Sequence, residues 1–340
     1  METCAVRASL LRLAASGCIS LIAISSVTQA QAEAIEIKAR PIEQFRIGHQ
    51  QSEFGSLEFI GGLEMVSPAR DFGAISSMRF IDGTTFLAVT DTGFWLRGQV
   101  EHDDDQRPSG INNARMDPIR DENGNASGEK WTTDAEALAV GNGRATVGFE
   151  RVHRVVEYEL SEDMSGGPLS EVDYLVPRNE LRSNRSFETI AYAPANGALA
   201  GARIAVSERS IDENGNIFAA ILEGPRKGIF KVKRSDDFDV TDGAFLPSGD
   251  LILLERRFSM ATGVAMRLRR IGGNTLARDA LVDGQVLLEA DMSYQIDNME
   301  ALDVWQRQDG ATMLSIMSDD NHSILQRNLY LEFTLQDLID

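Results

Sequence analysis

The chain has 340 residues, enough to bury a sizeable core, and a formal net charge of −19 at pH 7 from 33 Lys and Arg against 52 Asp and Glu. That balance argues against nucleic acid and anionic membrane surfaces as partners and suits cation binding. Both cysteines, Cys4 and Cys18, lie in the N-terminal stretch, so no thiol chemistry or thiolate metal site is expected in the rest.

Taken in order, the chain opens with Arg7 and Arg12, an apolar run from Leu13 to Val27 and small residues at Ala30 and Ala32. This reads as a secretory signal peptide over 1–32, cleaved after Ala32. The run is broken by Ser16, Gly17 and Ser20 and falls short of the ~20 apolar residues that a membrane span needs. Residues 33–340 are then expected to be one exported domain, in the periplasm or secreted, monomeric and free of the membrane once the signal is gone.

From Ile35 to Val66 the pattern is that of strands, broken at Gly61-Gly62. Beyond that, short runs of Val, Ile, Leu and Phe alternate with turn signals such as Asp82-Gly83, Asn142-Gly143, Asn214-Gly215 and Asp309-Gly310. Asp121-Glu122-Asn123-Gly124-Asn125 resembles the start of a calcium loop, but its glycine stands fourth rather than sixth. The same five letters recur at 212–216 in an evident hairpin, so a turn is expected at both places.

The runs repeat. Strand starts share an acid and a small-to-apolar sequel at Glu136-Ala137-Leu138, Glu188-Thr189-Ile190 and Glu300-Ala301-Leu302. Asp242-Gly243-Ala244 is a looser copy, and Ser76-Ser77-Met78 is a copy without the acid. Each is followed by a strand that closes on an acid, at Asp91, Glu150, Glu208, Glu255 and Asp319. The spacing is close to the roughly 40–50 residues of a four-stranded propeller blade with its loops. The expectation is an all-β chain, a β-propeller of five to six four-stranded blades. The last strand, Asn328–Leu335, would pair with an N-terminal strand to close the ring, and Ile35–Val66 could supply a sixth blade.

In a propeller the first strand of each blade lines the central channel, so these acids should crowd one mouth. So many carboxylates in a small space require a cation, nearby arginines or raised pKa values. The expected metal ligands are Glu136, Glu188, Glu300, Asp319, Asp91, Glu208 and Glu255, with Asn184, Asn298 and Asn321 adding neutral oxygens. Calcium is the expected ion, because the donors are all oxygen. The opposing reading takes Glu150-Arg151, Glu208-Arg209 and Glu255-Arg256 as blade-to-blade ion pairs that recur because blades recur. For chemistry, His322 is the one histidine beside a repeated acid, and Arg209 and Arg256 are candidate substrate clamps. The sequence holds no G-x-S-x-G elbow, no P-loop and no His-Glu-x-x-His.

The segments Phe72-Gly73-Ala74-Ile75-Ser76-Ser77-Met78-Arg79, Asp134-Ala135-Glu136-Ala137-Leu138, Asn184-Arg185-Ser186-Phe187-Glu188, Leu253-Leu254-Glu255-Arg256-Arg257-Phe258, Asp297-Asn298-Met299-Glu300 and Ser318-Asp319-Asp320-Asn321 together resemble the phytase-like ("esterase-like activity of phytase") proteins. The resemblance runs from about Leu57 to Phe333. It implies a propeller, export from a bacterial cell and hydrolysis of phosphate or other esters. One departure is Ser77, where the family more often has glycine. Three functions follow as expectations. One is a calcium-dependent hydrolase of small anionic phosphate esters. The others are a non-catalytic binding propeller with structural metal and a lactonase-like hydrolase of carboxyl esters.

Overall fold

The five strand starts picked out by the repeat become the innermost strands of five blades. A computed structural model describes residues 33–126 and 130–336, and the expected signal peptide lies outside them. Blade one runs outward through Ile75–Phe80, Thr85–Thr90, Phe94–His102 and Pro108–Pro118. Blade two is Ala135–Gly141, Arg144–Phe149, Arg154–Glu159 and Ser170–Val172. Blade three is Phe187–Tyr192, Arg203–Ile211, Ile217–Ile221 and Gly228–Val232, and blade four is Asp239–Phe245, Leu251–Ser259, Gly263–Ile271 and Gln285–Ala290. Blade five begins with Asn298–Gln306, Thr312–Asp319 and Asn328–Leu335, then takes its outer strands, Leu57–Val66 and Lys38–Ile42, from the other end of the chain.

The N-terminal strands thus complete the fifth blade instead of building a sixth. Leu57–Val66 lies antiparallel to Asn328–Leu335, with Leu63 opposite Tyr330. Gly62 is needed there, since a Cβ would come within 2.6 Å of the Tyr330 carbonyl oxygen. This pairing closes the ring and covers the free edge of Asn328–Leu335. A buried polar chain supports the joint. Trp305 Nε1 donates to Ser315 Oγ at 2.9 Å, Ser315 Oγ lies 3.0 Å from the Tyr330 hydroxyl, and that hydroxyl meets the buried Glu332. His102 of blade one then contacts both Glu332 oxygens at 3.0 Å.

Turn chemistry accounts for the hairpins. Asn142 (φ 53°) and Gly143 (φ 72°) both adopt the left-handed conformation, the requirement of a two-residue type I′ turn. Asp121 and Asp212 build the same loop: each Oδ1 accepts the amides two and four residues on, at 2.8–2.9 Å. Both stretches are therefore turns, as the second copy indicated. Middle strands such as Thr85–Thr90 and Ile217–Ile221 are buried along their whole length. Packed between neighbouring blades on both faces, they read as continuous apolar runs without alternation. Five apolar cores result, one for each interface between successive blades. Examples are Leu87, Trp95, Leu138 and Val147 between blades one and two, and Leu254, Met266, Met299 and Leu314 between four and five. Among the described residues no helix is long and apolar enough to cross a membrane.

The centre of the ring is filled. Arg79 reaches from blade one across the axis and donates from Nη1 and Nη2 to Asp242 of blade four, both at 2.8 Å. It also donates to the carbonyls of Met78, Ile190, Gly243 and Leu302 at 2.6–3.0 Å, tying four blades together. Asp242 accepts in addition from Ser77 Oγ (2.9 Å), Gly243 N (2.7 Å) and Leu302 N (2.9 Å). Ser77, the family departure, thus uses its hydroxyl on this plug. The plug divides the axis into an acidic cavity at one end and a cup lined by Arg79, Phe80, Tyr192, Asp303 and Trp305 at the other.

Candidate metal centre

The acidic cavity is built by a bulge repeated five times. In each innermost strand the pairing register skips one residue, at Ser76, Glu136, Glu188, Thr241 and Glu300. A bulge bends the strand and re-aims a side chain. All five of these residues line one cavity of about 180 Å³. A second ring comes from the neighbouring strands, from the residue that follows the partner of the one before each bulge: Asp91, Glu150, Glu208, Arg256 and Asp319. Asn184, Asn298 and Asn321 complete the lining. Seven carboxylates from four blades thus face one arginine.

Of the residues singled out in the sequence, Glu136, Glu188, Glu300, Asp319, Asp91, Glu208 and Arg256 come together here. Three others do not. Glu255 stands one place before the ring position and takes the alignment of Thr90, Ser207 and Ser318. Successive strand residues face opposite ways, so this one-residue offset turns Glu255 into the blade and Arg256 into the mouth. There the 1 % exposed Glu255 receives Arg267 Nε at 2.7 Å and also bonds Arg269. By the same offset the bulge residue of blade four is Thr241, and Asp242 belongs to the plug. Arg209 lies outside the cavity, 3.5 Å from Asp239 of the next blade. His322 is exposed in a left-handed turn (φ 49°) beyond Asp320 and does not line the cavity.

Two residues outside the predicted ligand set carry much of the geometry. Glu150 belongs to both groups of carboxylates whose oxygens lie within 4.8 Å of one another: Asp134, Glu136 and Glu150, and Glu150, Glu188 and Glu208. The signal for Glu150 was its place in the same closing ring, and for Asp134 its position two residues before Glu136.

The electrostatics follow from crowding in a half-closed space. Burial first, then the negative charges of Asp134, Glu150 and Asp91, push the Glu136 carboxyl well above its usual range. Burial and the neighbouring Glu136, Glu208 and Glu150 do the same to Glu188. Glu300 is pushed up to about 8 by burial, against the pull of Arg256. Glu150 and Asp319 are each pushed up to about 7, again chiefly by burial. Among the described residues, Arg256 is the one counter-charge lining the cavity. Its Nη1 meets Glu300 at 2.7 Å and also bonds Asn298 Oδ1, and its Nη2 lies 3.8 Å from Glu208. Asn298 Nδ2 donates to Glu300 at 2.9 Å and to Asp319 at 3.3 Å, which fixes the two acids of blade five. The cavity is therefore short of positive charge, and its donors are oxygens arranged so that a cation could be held.

A five-bladed propeller with an acidic mouth above a plugged axis defines the class. The chain belongs to the Phytase-like family, described as "Esterase-like activity of phytase", which it matches over residues 70–322. No curated protein matches the sequence. Among solved structures, a PQQ-bound aldose sugar dehydrogenase from Streptomyces coelicolor is similar at 13% identity, with 83% of this chain and 99% of that one covered and a TM-score of 0.43. An endo-arabinase from Bacteroides thetaiotaomicron VPI-5482 is similar at 12% identity, with 77% and 94% covered and a TM-score of 0.47.

Proposed function

We propose that the chain is an exported hydrolase of phosphate esters, or of other esters, working at the acidic mouth with a bound divalent cation, calcium being the expected ion. The observation that carries this is the gathering of seven carboxylates around Arg256 in a cavity of about 180 Å³ with a closed floor. The residues fit a hard cation. All donors are oxygens, two carboxylate triads each lie within 4.8 Å, and the raised carboxyl pKa values express a charge burden that a cation would relieve. Glu136, Glu150, Glu188 and Glu208 would hold it, with Asp134 behind them. When bound, such an ion offsets substrate charge and polarises the scissile group.

The remaining residues have separable tasks. Arg256, held by Glu300 and Asn298, offers its guanidinium to an anionic ester oxygen. Glu300 stands outside both triads, with its carboxyl pushed up to about 8 by burial, and would be the group to donate a proton to a leaving alkoxide. The Arg79–Asp242 plug makes the cavity blind, so substrate enters and product leaves by the same mouth. The N-terminal 32 residues would direct export to the periplasm or beyond.

A second reading is a binding propeller whose cation serves stability alone. It is favoured by the cavity lining, in which no histidine takes part. To separate them, the mature protein is assayed on p-nitrophenyl phosphate, phytate, p-nitrophenyl acetate and a lactone, with calcium and with chelator. Calcium-dependent turnover that Arg256→Gln removes supports the hydrolase. Absence of turnover throughout, with a melting temperature that rises in calcium, supports the second reading.

A further inference from the structure

Beside the acidic cavity runs a groove of about 860 Å³ that shares Glu208, Arg256 and Asn298 with it. Two features set it apart. The first is a set of four arginines, Arg185, Arg209, Arg234 and Arg256, beside four acids, Glu208, Asp237, Asp239 and Asp297, in which two of the arginines make only long contacts. Asp239 serves three of them: Arg234 at 2.7 Å, Arg209 at 3.5 Å and Arg185 at 3.6 Å. Arg234 takes the good contact and adds Asp237 at 3.2 Å. Arg185 has only this long approach and Glu208 at 3.6 Å. Charge-assisted bonds normally close to about 2.7–2.9 Å, so both guanidiniums keep donors in reserve. Arg209 goes further: its Nε is buried and has no hydrogen-bond partner. A buried donor left unmade is costly, which points to a missing acceptor.

The second feature is apolar. Phe258 (67% exposed), at the end of strand Leu251–Ser259, and Met292 (55%) and Leu325 (87%), from two separate loops, line the same groove. Met260 and Ile324, close in sequence to Phe258 and Leu325, are almost fully exposed. Single exposed apolar residues are ordinary, but a group of them beside underused arginines is not.

We propose that this groove binds an amphiphilic organic anion: its phosphate or carboxylate is taken by Arg185 and Arg209, and its alkyl or aryl part lies over Phe258, Met292 and Leu325. The shared Arg256 and Glu208 place that anion at the edge of the cavity. As a statement about substrate the inference rests on the hydrolase reading, while as a statement about binding it does not. Anions cross an acidic rim best when the mouth holds a cation, so binding should strengthen with calcium.

The test is calorimetry of the mature chain in calcium with monooctyl phosphate, methyl phosphate and octanol. Monooctyl phosphate is expected to bind about tenfold or more tighter than methyl phosphate, because its methylenes leave water. Arg185→Gln with Arg209→Gln should weaken monooctyl phosphate by about tenfold or more. Phe258→Ser with Leu325→Ser should erase its advantage over methyl phosphate; circular dichroism checks that both variants fold. Equal affinity for the two phosphates, equal affinity for octanol and monooctyl phosphate, or no change in the arginine variant would overturn the proposal. Monooctyl phosphate binding without turnover of any ester would remove the hydrolase and keep the groove. Turnover of small esters with no preference for the octyl chain would do the reverse.

Discussion

Replacing Arg79 by Met should be among the most damaging single changes in the protein. The guanidinium makes two bonds of 2.8 Å to Asp242 and four of 2.6–3.0 Å to carbonyls of blades one, three, four and five. Methionine fills much of the space but leaves the fully buried Asp242 without its counter-charge. Breaking a buried pair from one side costs about 3–5 kcal/mol. Asp242 keeps Ser77 Oγ and two amides, so the lower half of that range is expected. For a chain of this size that is a fall in melting temperature of roughly 4–6 °C. Adding Asp242→Asn removes the stranded charge, so the double variant should be less destabilised than the sum of the singles by about 1–3 kcal/mol. Urea titration of the four proteins gives the coupling directly. Strict additivity, or an Arg79→Met variant within 1 kcal/mol of wild type, would refute the view that this pair pins the blades at the axis.

Three further outcomes are expected. Glu255→Ala leaves Arg267 and Arg269 buried without their shared acid and should cost about 3 kcal/mol by denaturant titration, with cation binding untouched. His102→Ala should cost about 2 kcal/mol by the same titration, because the buried Glu332 loses its partner from blade one. Asp303, at the far cup, has its carboxyl pushed up to about 6 by burial, against the pull of Arg79. A raised carboxyl contributes stability below the unfolded value near 4 and loses it as pH rises through 6. Asp303→Asn lacks this loss, so its stability relative to wild type should improve by about 2–3 kcal/mol between pH 4 and pH 7; a flat difference across that range contradicts the assignment.

Much of this was legible because a propeller repeats. Asn-Gly and Asp-Gly turns and recurring acids gave the blades, and Asn328–Leu335 announced itself as the closing strand. The bulge was harder to read. It is a register defect of one residue, and sequence spacing alone cannot show on which residue it falls. In blades two, three and five the acid itself stands at the bulge, so the repeated acids Glu136, Glu188 and Glu300 fall on the cavity lining. In blade four Thr241 and Arg256 occupy the ring positions, while the adjacent acids, Asp242 and Glu255, attracted the alignment. Both of those acids are spent on arginines inside the protein. The axial plug was not visible either, since Arg79 and Asp242 lie far apart in the chain and meet only through ring closure.

The central claim is that carboxylates of separate blades form one cation site at the mouth. It is tested most directly by calorimetric titration of calcium into chelator-stripped protein, wild type beside Glu150→Gln and Glu188→Gln. The account predicts saturable binding in the wild type that either substitution weakens by about tenfold or more. Binding that is absent from the wild type, or unchanged in both variants, would contradict it.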